Sequence, residues 1–288
     1  MRLDAVLVAL RLARSRGDAR DLVKGGFVTV NGAPARKASE DVASHDEVAL
    51  RPGHVSRVGR AGHKLHAAFE EFGRAPEDPL SARGRRCLDV GASTGGFTQV
   101  LLERGAAHVV ALDVGHGQLA AQLAADPRVT NLEGRNLRTV TPEEVGGPFA
   151  LLVADLSFIS LQLVAARLAE LLAADGQGIW LVKPQFEVGR ERLGKSGVVT
   201  DPRERARALR DVLAAARAAG LHPRGLVSSP LAGSHGNREY LLWVGRRGEL
   251  GLRDDATAIA SVVTFEENRS HDEPHPAPGP LAPMTKGL

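Results

Sequence analysis

Four ionisable residues stand where alternating strands and helices would bring them to one edge of a sheet: Lys64, Asp155, Lys183 and Glu239. Asp155 follows the apolar run ending Val153-Ala154, and Lys183 follows Leu181-Val182. Glu239 precedes Tyr240-Leu241, and Lys64 opens a helical pattern. The use of lysine is informative, because the chain has only six lysines and relies on arginine for its other cations. Arginine stays protonated in proteins, whereas desolvation and neighbouring charge can make lysine take or give a proton. Two lysines with two carboxylates can therefore orient a hydroxyl and remove its proton. On residue types alone, the same four also read as unrelated surface charges.

A second group of residues binds rather than reacts. Cys87-Leu88-Asp89-Val90-Gly91-Ala92-Ser93-Thr94-Gly95-Gly96-Phe97 reads as a strand, a glycine-rich turn and the start of a helix. In a doubly wound sheet this turn lets backbone approach a nucleotide-like ligand closely. The spacing is G-x-x-x-G-G, not the G-x-G-x-x-G of dinucleotide sites. It resembles the first motif of S-adenosylmethionine-dependent methyltransferases. Asp113, at the end of the next strand, would then accept hydrogen bonds from ribose hydroxyls. The cofactor set expected on this basis is Asp89, Gly91, Ala92, Ser93, Thr94, Gly95, Gly96, Phe97, Asp113, Val114, Asn136 and Asp155. The alternative is a glycine turn that only allows tight packing of strand on helix.

Gly189-Arg190-Glu191-Arg192-Leu193-Gly194-Lys195-Ser196 matches the phosphate-loop pattern G-x-x-x-x-G-K-S. Such a loop works when it joins a strand directly to a helix, whose N–H groups then face phosphate. Here Gly197-Val198-Val199-Thr200-Asp201-Pro202 follows, so a basic loop touching substrate, with Lys195 in contact, is expected instead. The ten histidines show no metal-ligand spacing, and no metal is expected.

The elements that must position these residues follow from periodicity. Leu3, Val6, Leu7 and Leu10 fall at helical spacing, and Ala19, Leu22 and Val23 mark a second short helix. Phe27–Val30 reads as a strand entering the Asn31-Gly32 turn, with Asp46–Leu50 returning. Arg51–Gly62 reads as a linker, and a helix spans about Lys64–Phe72. Strands are expected at Arg86–Val90, His108–Asp113, Phe149–Ala154 and Gly178–Val182. Helices fall between them at Phe97–Arg104, Gln118–Ala125 and Leu161–Ala174. The helix Arg203–Ala219 stops at Gly220, and strands Arg224–Ser228 and Tyr240–Val244 close the sheet. The fold class expected is α/β: a Rossmann-like parallel sheet with helices on both faces, behind a small α+β domain. The domains are residues 1–60, residues 61–268 and a Pro-rich tail, residues 269–288, expected to be disordered.

The tetrad and this architecture together resemble the FtsJ-like ribose 2′-O-methyltransferases, whose Lys-Asp-Lys-Glu set maps onto Lys64, Asp155, Lys183 and Glu239. The N-terminal part resembles the S4-like RNA-binding domain through Arg2-Leu3-Asp4, Ser15-Arg16, Ala19, Leu22-Val23, Gly26 and Val28-Thr29-Val30-Asn31-Gly32. With Gly62-His63-Lys64-Leu65, Asp155-Leu156-Ser157-Phe158-Ile159-Ser160 and Lys183-Pro184-Gln185-Phe186-Glu187, the chain is similar to the TlyA family over about residues 2–265. The resemblance implies 2′-O-methylation of cytidine in ribosomal RNA, with S-adenosylmethionine as cofactor and ribosomal RNA or subunits as partner. It implies Lys183 as the group that takes the hydroxyl proton or stabilises the oxyanion, oriented by Asp155. Lys64 and Glu239 would fix substrate and charge. RNA contacts are expected from Arg2, Arg11, Arg14, Arg16, Arg20 and Lys24. Two other readings stay open: an RNA base N-methyltransferase, although Asp155 lacks the prolines of that motif, and a non-catalytic ribosome-associated RNA-binding factor.

Bulk properties agree with this and exclude other classes. The 288 residues suffice for two domains, and 43% hydrophobic with 25% charged residues is ordinary for a globular protein. Residues 1–60 carry eleven Lys/Arg against seven Asp/Glu, an excess that suits a polyanion. Apolar runs are interrupted well short of membrane-spanning length, and acid and arginine inside the first run argue against a signal peptide. Some TlyA-like proteins carry a haemolysin label, but no segment here suggests a pore. The lone Cys87 rules out an intramolecular disulfide and suits a reducing cytoplasm, and a monomer is expected. It lies at the start of a buried strand, so the cysteine chemistry of pyrimidine C5 methylation is excluded.

Overall fold

The computed structural model describes residues 1–269 apart from 11, 14, 52–57, 195, 249, 250 and 253. The expected disordered tail, and Arg11, Arg14 and Lys195, lie outside the described residues. Two compact units emerge, residues 1–56 and residues 57–267.

In the first unit, helices α1 (Leu3–Ala9) and α2 (Arg16–Lys24) cover a small sheet of β1 (Val28–Val30), β2 (Ala33–Pro34) and β3 (Val48–Leu50). Leu3, Leu7, Ala19, Leu22, Val23 and Val28 form its core, as their spacing dictates. Asn31 and Gly32 both take positive φ, 51° and 77°, the geometry that lets a two-residue turn match strand twist. The strand returning from that turn is β2, not Asp46–Leu50, and β3 pairs on the other side of β1. Asp4 is buried and accepts from both Arg2 and Arg16. Those two guanidiniums hold its carboxyl well below the usual carboxylate range. The triad fastens α1 to α2.

The second unit begins with α3 (Ala61–Phe72), which buries Leu65, Ala68, Phe69 and Phe72 at i, i+3, i+4 and i+7. Its sheet contains β4 (Arg86–Val90), β5 (His108–Leu112), β6 (Val129–Leu132), β7 (Phe149–Ala154), β8 (Leu172–Val182), β9 (His222–Ser228) and β10 (Tyr240–Gly245). The order is β6-β5-β4-β7-β8-β10-β9. All neighbours from β6 to β8 are parallel, and β10 runs antiparallel to both β8 and β9. Side-chain alternation divides the core in two. Leu88, Val90, Leu152 and Trp180 face one layer, with α7 (Leu161–Glu170), α9 (Pro202–Ala218) and α10 (Asp255–Arg269). Cys87, Leu151, Val153 and Ile179 face the other, with α3 and α4 (Gly96–Glu103).

The structure revises several sequence-based elements. The sheet is not wholly parallel, because β10 reverses. β6 is an additional edge strand, and α10 an additional helix. Helix α7 ends at Glu170, and Leu172 already belongs to β8, so Leu161–Ala174 is not one helix. Only Ala121–Ala124 (α5) of Gln118–Ala125 is helical. Two further short helices are α6 (Pro142–Val145) and α8 (Pro184–Glu187). After the phosphate-loop pattern no helix starts until α9, so the requirement for a strand joined directly to a helix is not met. Among the described residues, no helix is long and apolar enough to cross a membrane, and no metal-binding cluster of His, Cys, Asp or Glu occurs.

Candidate active site

Strand order reverses between β4 and β7, and the crevice outside the carboxyl ends of strands at such a point is where ligands bind in open α/β sheets. Four residues land there because each closes or opens a strand at that edge. Gly91 follows β4, Asp113 follows β5, Asp155 follows β7 and Lys183 follows β8. Glu239 reaches the same edge from the opposite chain direction: Tyr240 at the start of β10 pairs with Val182 at the end of β8.

Gly91 has φ +83°, and a Cβ there would lie 2.6 Å from the Asp155 carbonyl oxygen. Any side chain would force β4 and β7 apart, so glycine is required by close approach as well as by conformation. Ser93 N–H and Gly115 N–H donate to the two Asp113 carboxylate oxygens at 2.8 and 2.7 Å, which locks the turn onto β5.

Two adjoining cavities occupy this edge. The larger, about 560 Å³, is lined by Gly91, Ser93, Asp113, Val114, Asn136 and Asp155, with apolar walls from Leu112, Leu137 and Ile159. The smaller, about 300 Å³, is lined by Ala92, Thr94, Gly96 and Phe97 together with Lys64, Asp155, Lys183 and Glu239. Gly91, Ser93, Asp155 and Ser157 border both. All four residues of the proposed tetrad are thus brought together on one cavity.

They are arranged as two ion pairs. Lys183 Nζ lies 2.7 Å from Asp155 Oδ1 and donates to Ser157 Oγ at 2.8 Å. Lys64 donates to Glu239, and both are 3% exposed. Phe186 lies under the Lys183 ammonium at 5.9 Å from its ring centroid.

Not every expected residue faces a cavity. Asp89 lines neither: it is fully buried beneath the turn and accepts from Thr98 Oγ1 at 2.7 Å. Period-2 alternation along β4 explains this, since Asp89 shares the Cys87 face, against α4. Burial pushes its carboxyl up to about 7, helped by Asp155 and Asp113 nearby. Gly95 also lines neither cavity. Burial pushes the Cys87 thiol up to about 12, which suits a packed rather than a reactive cysteine. Arg2 and Arg16 are already paired with Asp4, whereas Arg20 and Lys24 are exposed on α2.

Ser157 carries no role in the sequence motif, and the structure puts its hydroxyl on Lys183. Gly59 and Arg60, read as linker, line the smaller cavity. Neither carried a periodic or compositional signal.

A sheet of this order, with a glycine turn after β4 and an acid after β5, defines a Rossmann-like methyltransferase. The FtsJ-like methyltransferase model matches residues 57–246 and the S4 domain model residues 1–48. The 16S/23S rRNA (cytidine-2′-O)-methyltransferase TlyA of Mycobacterium tuberculosis is 50% identical over 246 residues, covering 84% of this chain and 89% of that one. Hemolysin A of Brachyspira hyodysenteriae is 36% identical, covering 84% and 98%. A solved structure from Streptococcus thermophilus, described as a hemolysin, is 35% identical, covers 94% and 98%, and superposes with a TM-score of 0.69. The chain belongs to the TlyA family of FtsJ-like methyltransferases.

Proposed function

We propose that this protein transfers a methyl group from S-adenosylmethionine to the 2′-hydroxyl of cytidine in ribosomal RNA. The observation that carries the reading is the Lys183–Asp155 pair, 2.7 Å apart, in which Asp155 lines both cavities and Lys183 the smaller one. The larger cavity falls within the usual range for a ligand of this size, roughly 300–1,000 Å³. Its apolar walls suit an adenine ring and Asp113 suits ribose hydroxyls. S-adenosylmethionine bound there supplies an electrophilic methyl group on a sulfonium.

The chain's own residues do the rest. Lys183 Nζ, after giving up its own proton to solvent, takes the proton of the attacking hydroxyl, while Asp155 and Ser157 hold that nitrogen in place. Lys64 and Glu239 hold the far wall and its charge, so the hydroxyl is presented in line. Arg20 and Lys24, with Arg2, Arg16 and residues 11, 14 and 195, contact RNA phosphates. The enzyme acts as a monomer in the cytoplasm on ribosomal RNA or assembled subunits. In place of the expected 1–60 and 61–268, the bounds proposed for its parts are 1–56 for RNA binding and 57–267 for catalysis, because Gly59 and Arg60 line the tetrad cavity.

Labelled S-adenosylmethionine incubated with ribosomal subunits that lack the mark is expected to give a 2′-O-methylated cytidine. That product resists alkali, because the hydroxyl that attacks the neighbouring phosphate is blocked. Label released by alkali would move the acceptor to a base nitrogen, and no label at all would favour a non-catalytic RNA-binding factor.

Asp113→Ala is expected to weaken S-adenosylmethionine binding by about 1.5–3 kcal/mol, the range for a hydrogen bond to a charged group. The domain should stay folded. Calorimetric titration decides it: a folded variant with unchanged affinity puts the ribose contact elsewhere.

A further inference from the structure

Helix α7 begins just beyond the catalytic carboxylate, and α8 begins at the residue after the catalytic lysine. Asp155–Ser160 and Lys183–Glu187 therefore run out of neighbouring strands as two short segments. At their strand ends they are joined by Lys183 to Asp155 and Ser157. At their far ends they are joined by one side chain. Glu187 Oε2 accepts from Ser160 Oγ at 2.6 Å and from Gln162 Nε2 at 3.1 Å. Its Oε1 accepts from the Leu161 backbone N–H at 2.8 Å.

Three features make this more than a surface contact. Glu187 is only 8% exposed, so its bonds are little diluted by water. It satisfies a backbone donor at the first turn of α7, where N–H groups have no partner within the helix. Ser160 completes the arrangement, because its oxygen accepts from Gln162 N–H at 3.1 Å while its proton goes to Glu187. Phe158, midway along the first segment, takes φ +64°, a conformation that persists in a bulky residue only where its surroundings hold it. With both ends fastened, the segment has little freedom to let Asp155 and Ser157 drift from Lys183.

We infer that Glu187 is a positioning residue for methyl transfer: by clamping the Asp155–Ser160 segment to the Lys183–Glu187 segment, it sets where the Lys183 amine points. It touches no reacting atom and acts through Ser160 and Leu161. Burial raises its carboxyl above the usual carboxylate range, while the three donors oppose that rise. This inference rests on the methyltransferase reading above.

The test uses the full chain, labelled S-adenosylmethionine and unmodified ribosomal subunits, in single-turnover and steady-state form. Glu187→Ala is expected to lower the transfer rate roughly 30- to 100-fold, the scale set by a misplacement of about 1 Å. Cofactor Kd and subunit KM should stay within about twofold. Glu187→Gln retains an acceptor for Leu161 N–H and is expected to recover most of the rate. A crystal structure of Glu187→Ala should show Lys183 Nζ separated from Asp155 or Ser157. Transfer within threefold of wild type in Glu187→Ala would overturn the inference. So would a glutamine variant as poor as alanine, or cofactor affinity falling in step with rate. Should the wild type itself methylate no ribosomal RNA, the proposed function fails instead. The crystal structure would still decide the clamp, and an unmoved Lys183 would refute it.

Discussion

Methyl transfer is expected to fall by about 10²–10⁴-fold when Lys183 becomes alanine, and nearly as far when it becomes arginine. Cofactor binding should survive both changes. The reason is chemical rather than electrostatic. Lys183 Nζ sits between Asp155 Oδ1 and Ser157 Oγ on a side chain that is 10% exposed. Arginine supplies the same charge, but its pKa stays above about 12 and it cannot accept the hydroxyl proton. Its planar fork also needs more room than a tetrahedral ammonium. Were positive charge alone sufficient, the arginine variant would recover a substantial part of the activity. Single-turnover rates for the three proteins, with cofactor titrations alongside, make the distinction. Near-wild-type transfer in Lys183→Arg would remove this residue as the proton acceptor.

The second large effect concerns stability as well as rate. Glu239→Ala leaves the Lys64 ammonium buried with its carboxylate partner removed. Breaking one side of a buried ion pair in this way costs about 3–5 kcal/mol. For a unit of this size that corresponds to a fall in Tm of roughly 6–20 °C. Transfer should be lost as well. The double variant Lys64→Met/Glu239→Leu separates the two effects. Apolar residues of similar volume often restore the stability lost with a buried pair, and thermal melts should show that recovery. Activity should not return. A stable double variant with substantial transfer would reduce the Lys64–Glu239 pair to a structural contact.

Much of this was legible in the residues, for identifiable reasons. Phe149–Ala154 and Arg86–Val90 appear with the bounds read from sequence, the first because it is a short apolar run and the second because Cys87, Leu88 and Val90 run straight into the glycine turn, both near the middle of the sheet. β6 was not legible. Its Thr130 and Asn131 are exposed at the sheet edge, so no apolar pattern marks it. β8 begins six residues earlier than its apolar run suggests, because Leu172 pairs with Phe149 before the register shifts. The Leu-Ala-Ala there reads as helix, and tertiary pairing overrides it. In the site, strand ends could be located, so Asp113, Asp155 and Lys183 could be placed on one edge. What could not be read was side-chain direction. Asp89 points into the core on the pleat, and nothing in Ser157 or Glu187 distinguishes a hydroxyl on the lysine or a clamp from ordinary loop polarity.

The reversed strand β10 also dictates an order of assembly. Lys64 and Glu239 are 175 residues apart in sequence. On a ribosome making the chain from its N-terminus, α3 and the strands β4 to β8 emerge first, and their parallel pairings need nothing later. The glycine turn, Asp113, Asp155 and Lys183 can therefore reach their places in a growing chain. Lys64 cannot be withdrawn from water until Glu239 arrives, because a lone ammonium is too costly to bury. The Lys64–Glu239 wall thus cannot close before β10 is made, and a nascent chain halted before β10 holds the glycine turn, Asp113, Asp155 and Lys183 without the complete tetrad.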